Sequence, residues 1–194
     1  MNYQRLLQWV IGFTSLAFFL SACRAPQATA VPTGVASPSA GTEQAQFTDP
    51  FAYCAEVGAV DAPDARYTGP EAPEAIVNGL RKVLETPDDA PMEPFVAGTF
   101  WRCMDGKVWA CFVGANLPCT TKADTSRTPT PDMADFCKAN PTSDSIPAYI
   151  TGRATVYEWR CTNSAPEIVK QLVEPDAQGY LSNIWYELSP GDDS

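Results

Sequence analysis

The protein has 194 residues, with 23 acidic and 13 basic side chains and no histidine, which gives a formal net charge of −10. This acidic balance argues against binding to nucleic acid, because neutralisation of phosphates depends on Lys and Arg. The absence of histidine removes the commonest general base and excludes catalytic arrangements of the Ser-His-Asp and Cys-His types.

Residues 1–22 have the order of features that is typical of an export signal. Arg5 supplies a positive charge, residues 6–20 are almost wholly apolar, and small residues follow. The apolar run is shorter than the roughly 20 residues that a membrane-spanning helix needs. The segment that follows it, Leu20-Ser21-Ala22-Cys23, resembles the lipobox of bacterial lipoproteins.

This resemblance covers only the four residues and the apolar run before them. It implies that the chain is cleaved before Cys23 and that the thiol of Cys23 carries lipid. Each buried acyl methylene contributes about 0.8 kcal/mol, so two or three acyl chains form a stable anchor. We therefore expect a lipid-anchored, extracytoplasmic protein of the cell envelope. The outer face of the plasma membrane and the periplasmic side or outer membrane both stay open as locations.

The charge and composition after Cys23 describe a tether and one domain. Removal of residues 1–22 takes away Arg5 and no acidic residue, which leaves 23 acidic against 12 basic residues and a formal net charge of −11. This charge disfavours contact with anionic lipid headgroups, so the lipid on Cys23 is the expected membrane contact. Residues 23–46 are predicted to be the lipidated cysteine and a disordered tether rich in Ala, Pro, Ser and Thr. Residues 47–190 are predicted to form a single domain, followed by an acidic tail at 191–194.

Six cysteines remain once the first is assigned to lipid, and an even number in an exported chain predicts three disulfides. No two of them have the Cys-x-x-Cys spacing, so no metal site is predicted, and no motif points to a cofactor. The six residues are Cys54, Cys103, Cys111, Cys119, Cys137 and Cys161.

Three short helices are predicted from proline and capping signals. The first follows Pro50 and ends at Gly58. The second follows Pro73, and its apolar residues fall on one helical face. The third follows Pro131 and ends before Asn140-Pro141.

Strand signals dominate the rest of the domain, so the predicted fold class is α+β with a β-rich antiparallel core. Residues 99–104 and 107–113 flank Asp105-Gly106, which favours a tight two-residue hairpin turn. In that register Arg102 lies opposite Trp109, and a cation over the indole face is expected. Residues 154–161, 167–173 and 180–188 are predicted to form an antiparallel meander.

Two halves of the domain repeat the same order of elements, which indicates a diverged internal duplication. Each half has a short helix with an aromatic residue before cysteine, then an aromatic-to-glycine run, then a strand that ends in Trp-Arg-Cys. If equivalent cysteines bond equivalently, Cys54 pairs with Cys103 and Cys137 with Cys161. The remaining two, Cys111 and Cys119, then close a small loop.

Trp101 and Trp159 share strand faces with half-cystines, so we expect them to fill the core. Trp109, Trp185 and Tyr186 are the better candidates for an exposed aromatic platform that binds a ligand such as a sugar.

The sequence predicts no enzymatic activity, and the expected role is a non-catalytic binding or structural module of the envelope. A cell-wall glycan or another envelope protein is the expected partner. One alternative is an inhibitor of a lysozyme or protease, because residues 101–107 resemble the cysteine-bearing hairpins of small bacterial lysozyme-inhibitor lipoproteins. The chain length and the duplicated unit differ from those proteins, and the polar residues 120–130 would form the inhibitory loop. A second alternative is a carboxylate-based glycosidase, with candidate acids Asp61, Asp64, Glu71, Glu158 and Glu167.

Overall fold

The computed structural model describes residues 45–192. The predicted export signal, the lipobox and the tether up to residue 44 lie outside the described residues, as do the last two residues of the acidic tail. The described residues contain helices and antiparallel sheets, which confirms the predicted α+β class. Among residues 45–192, no helix is both long enough and apolar enough to cross a membrane.

The three predicted helices are present and begin where the sequence places their caps. Helix α1 (Pro50–Val57) starts after Asp49, whose carboxylate accepts from the Phe51 N–H at 2.9 Å, and ends at Gly58 with φ 74°. Helix α2 (Glu74–Val83) follows Pro73 and buries one apolar face.

Three further α-helices are present, two very short ones and the third predicted helix. Helix α3 is Glu93–Gly98 and helix α5 is Ala148–Thr151. Helix α4 (Pro131–Ala139) is capped by Thr130, whose hydroxyl accepts from the Met133 N–H at 3.3 Å. Both α3 and α5 occupy the aromatic-to-glycine runs of the repeated unit, so the two halves share one more element than the sequence predicts.

The predicted hairpin is formed by β1 (Thr99–Met104) and β2 (Lys107–Phe112), which pair antiparallel with Arg102 opposite Trp109. Asp105 and Gly106 have φ of 55° and 74°, as a tight hairpin turn requires. The second hairpin, β3 (Tyr157–Thr162) and β4 (Ala165–Gln171), also turns through two residues of positive φ.

The predicted meander is wrong in its third strand. Strand β5 (Tyr186–Leu188) pairs with β2 and completes a three-stranded sheet of order β1-β2-β5, whereas β3 and β4 form a separate two-stranded sheet.

Pro166 explains why β4 takes no third strand. It lies opposite Cys161, whose N–H points away from β4 and donates to the Ser143 carbonyl at 2.8 Å. In an antiparallel pair the backbone groups of opposite residues point either both inward or both outward, so the nitrogen of Pro166 faces the free edge of β4. Proline has no N–H to donate, and a strand added at this edge would find no donor there. At the equivalent position β2 has Val108, which pairs with Leu188 of β5.

All three disulfides have the predicted pairing. Cys54 of α1 is bonded to Cys103 of β1, and Cys137 of α4 to Cys161 of β3, so equivalent bonds link equivalent elements. The third bond joins Cys111 and Cys119 across 8 residues.

The three-stranded sheet lies between two hydrophobic clusters. Trp101 and Val108 face α1 and α2, whereas Phe100 and Trp109 face the cluster that contains the second hairpin. Trp101 and Trp159 are both 4% exposed, which confirms that they fill the core.

Candidate functional site

Two adjoining cavities of about 430 and 360 Å³ lie beside β1. They share Glu71, Thr99 and Phe100 in their linings. We call them together the β1 groove. Its lining is mostly apolar and is completed by Ala62, Pro63, Tyr67, Pro70, Ala72, Val96, Ala97, Trp101 and Thr120.

The groove exists because the chain between α1 and α3 pairs with β1 at Cys103, through Val60, and then leaves the edge of the strand. The Trp101 indole donates to the carbonyl oxygen of Glu71 at 2.9 Å and holds the loop against the strand. The ring of Tyr67 meets the Trp101 ring edge to face, with centroids 4.8 Å apart. These contacts fix one wall of the groove to its floor.

Thr99 brings an unused hydroxyl to this groove. The residue is 7% exposed and lines both cavities, yet its Oγ1 has no hydrogen-bond partner among the described residues. Buried polar atoms normally have hydrogen-bond partners, because removing a polar atom from water costs free energy unless a partner replaces the water. The Thr99 hydroxyl is thus available to donate a hydrogen bond to a bound molecule or to accept one from it.

A second polar cluster surrounds Arg102, and it corrects one prediction. The Arg102 guanidinium does not stack on Trp109. It packs against the rings of both Tyr180 and Trp185, at 4.5 and 4.2 Å from their centroids. It also donates to Asp176 and to Gln178. Because Arg102 is fully buried, this cluster serves the core.

The three predicted platform residues do not form one exposed surface. Trp185 is only 6% exposed because it covers the Arg102 guanidinium. Trp109 is half-buried with its Nε1 enclosed, and it lies on the sheet face opposite to that of Tyr186. The expectation that Trp185 would be exposed is wrong, because the Tyr180 segment folds back over the hairpin.

The candidate acids are dispersed rather than gathered in one cleft. Of the five, only Glu71 lines either cavity of the β1 groove. Asp61 pairs with Lys122 at 2.6 Å and Glu158 with Lys170 at 3.5 Å.

Two of these acids have pKa values shifted away from those of a general acid. Hydrogen bonds from Thr162 and Arg160 hold the pKa of Glu167 below its usual range. The Arg66 side chain, which donates to Asp64, lowers the pKa of Asp64 to about 2. A glycosidase general acid needs a raised pKa, so neither carboxyl suits that role.

The Asp64 pair makes a testable pH prediction. Its folded pKa is depressed, so its stabilising effect is present above the unfolded pKa and is lost as pH falls from about 4 to about 2. In an Arg66→Ala variant we expect the Asp64 pKa to return towards 3.8, measured by NMR titration of the carboxyl carbon. Glu167 serves as the internal control and should not move. An unchanged Asp64 pKa would contradict the assignment.

Residues 120–130 are held at one end and exposed at the other. Lys122 donates to Asp61 and to the Gln178 carbonyl, and Asp124 forms a parallel bridge with Thr155. Residues 124–130 are exposed throughout.

Within residues 45–192, no group of three Cys, Asp or Glu side chains is arranged to hold a metal ion.

Sequence reasoning missed the groove, although a signal for it is present. The helix cysteine and the strand cysteine are 49 residues apart in the first repeat and 24 apart in the second. The longer separation reflects an extra segment, and that segment supplies Ala62, Pro63, Tyr67 and Glu71 to the groove. No family model, curated protein or solved structure matches the chain, so the assignment of these residues to a candidate site depends on the geometry of the groove.

Proposed function

We propose that the protein is a non-catalytic binding module of the cell envelope, held at the extracytoplasmic face of a membrane by lipid on Cys23. The observation that carries the binding role is the β1 groove, which combines apolar lining with an unpaired buried hydroxyl on Thr99. Ligand sites are typically concave and mostly apolar, with few polar groups that fix orientation.

The disulfides support the proposed compartment. Five of the six half-cystines in the domain lie in helices or strands and all are buried, so each bond is enclosed by core residues. Such bonds form and persist outside the reducing cytoplasm. This agrees with an exported chain whose first cysteine, Cys23, is used for lipid.

The lining of the groove suits an envelope protein better than a sugar, because the described residues form no exposed aromatic platform. Its floor is a β-strand and its walls are proline, alanine and valine, which suit a peptide chain. Glu71 is the one charged side chain in the lining, so an anionic partner is disfavoured.

The anchoring is tested by a Cys23→Ala variant in cells fed radiolabelled palmitate. We expect label on the wild-type chain in the membrane fraction and none on the variant, because the acceptor thiol is gone. The variant should stay unprocessed or leave the membrane fraction. A Ser37→Ala variant, also in the predicted tether, is the control and should be labelled like wild type. Label retained on the Cys23→Ala chain would contradict the lipid anchor.

A further inference from the structure

The second repeat shows how the outer edge of its first hairpin strand is covered. Residues 143–146 run beside β3: the Cys161 N–H donates to the Ser143 carbonyl at 2.8 Å, and the Ile146 N–H donates to the Trp159 carbonyl at 2.8 Å. The Ile146 residue is 5% exposed, so an aliphatic residue fills the space next to this edge. The chain then enters α5 directly.

In the first repeat, the segment after α1 also pairs with the edge of the first hairpin strand, but it then leaves that edge. Val60 and Cys103 exchange two backbone hydrogen bonds of 3.0 Å, as the counterparts of Ser143 and Cys161. After Val60 the chain leaves β1 for the segment that contains α2, and it returns at α3. Within the described part of the chain, no segment is paired with β1 beside Trp101, the counterpart of Trp159.

The strand register shows which backbone groups this departure leaves unpaired. Cys103 bonds outward to Val60, and backbone direction alternates along a strand, so the N–H and C=O groups of Trp101 and Thr99 also point away from β2. Among residues 45–192, none of the backbone hydrogen bonds that lie outside the helices and strand ladders reaches these groups. Both residues line the β1 groove.

We propose that the β1 groove binds an extended peptide segment of another protein, which adds to β1 as residues 143–146 add to β3. The proposal rests on the proposed binding role and names its ligand class. Main-chain hydrogen bonds to an exposed sheet edge supply affinity, and the adjacent pockets select side chains. The favoured segment carries an aliphatic residue, whose N–H donates to the Trp101 carbonyl, and no net negative charge near Glu71.

The probe is taken from the chain itself. It is the peptide acetyl-Ser-Asn-Ser-Ile-Pro-amide, which copies residues 143–147 with asparagine in place of Asp144. We expect saturable binding to the full-length chain in detergent micelles by calorimetry. Methylation of the isoleucine nitrogen removes the donor for Trp101, and we expect affinity to fall about tenfold or more, because the carbonyl is then buried without a partner.

Protein variants locate the binding. Ala62 is exposed and lines the groove, so Ala62→Trp should fill it and weaken peptide binding about tenfold or more. Ala52, exposed on α1 and outside the lining, provides the matched control: Ala52→Trp should bind like wild type.

Three results would overturn the proposal: no saturable binding of the unmodified peptide, equal affinity for the N-methylated peptide, or equal affinity of the Ala62→Trp variant. Failure here is distinct from failure of the anchor. Loss of peptide binding with palmitate labelling intact rejects the peptide ligand alone, whereas loss of labelling on the wild-type chain rejects the lipid on Cys23.

Discussion

Replacing Cys54 and Cys103 together by alanine should destabilise the domain by about 4 kcal/mol, because the bond closes a loop with a sequence separation of 49 and the unfolded chain gains that loop's entropy. Both cysteines are fully buried, so truncation also loses packing against α1. The measurement is the urea midpoint with the other two bonds kept oxidised.

The other two disulfides form an internal control series. The same entropy argument gives about 3.5 kcal/mol for Cys137–Cys161 and about 2.5 kcal/mol for Cys111–Cys119, whose sequence separations are 24 and 8. The three double-alanine variants should therefore rank by loop length. A loss for the short loop equal to or larger than that for the long loop would show that native packing, rather than chain entropy, sets the order.

Local signals explain what the sequence predicts well. Asp49 and Thr130 cap two of the predicted helices through backbone N–H groups two and three residues ahead of them, and Asp105-Gly106 forms the predicted turn. The disulfide pairing also followed from sequence, because the repeated Trp-Arg-Cys unit supplied information about distant contacts. The predicted lipid on Cys23 stays a prediction.

The features that the sequence did not predict depend on contacts between residues far apart in the chain. Strand β5 is compatible with either β4 or β2, and the decision depends on Pro166, whose orientation is known only once the register of β3 is known. Arg102 lies opposite Trp109 as predicted, but its ring partners come from residues more than 70 positions away. The β1 groove also depends on distant parts of the chain, because it lies where no segment of residues 45–192 pairs with the edge of β1 beside Trp101, and no sequence motif marks it.

The two arginines of the Trp-Arg-Cys units have different surroundings. Arg102 is fully buried, ion-paired with Asp176, which is 8% exposed, and in contact with two aromatic rings. Arg160 is exposed and pairs with Glu167 at 3.0 Å on the surface of the second hairpin. Sequence alone does not distinguish them, since the neighbouring residues are the same.

An Arg102→Ala variant should lose about 3–5 kcal/mol of unfolding free energy, because removal of one partner leaves the carboxylate of Asp176 buried without its counter-charge. Arg160→Ala should cost less than about 1 kcal/mol, since water replaces an exposed partner. Urea unfolding measures both. An Arg102→Met variant separates the causes: methionine restores much of the packing volume but not the charge, so most of the loss should remain. Equal losses at Arg102 and Arg160, or full rescue by methionine, would mean that the buried pair contributes little and that ring packing holds this side of the sheet.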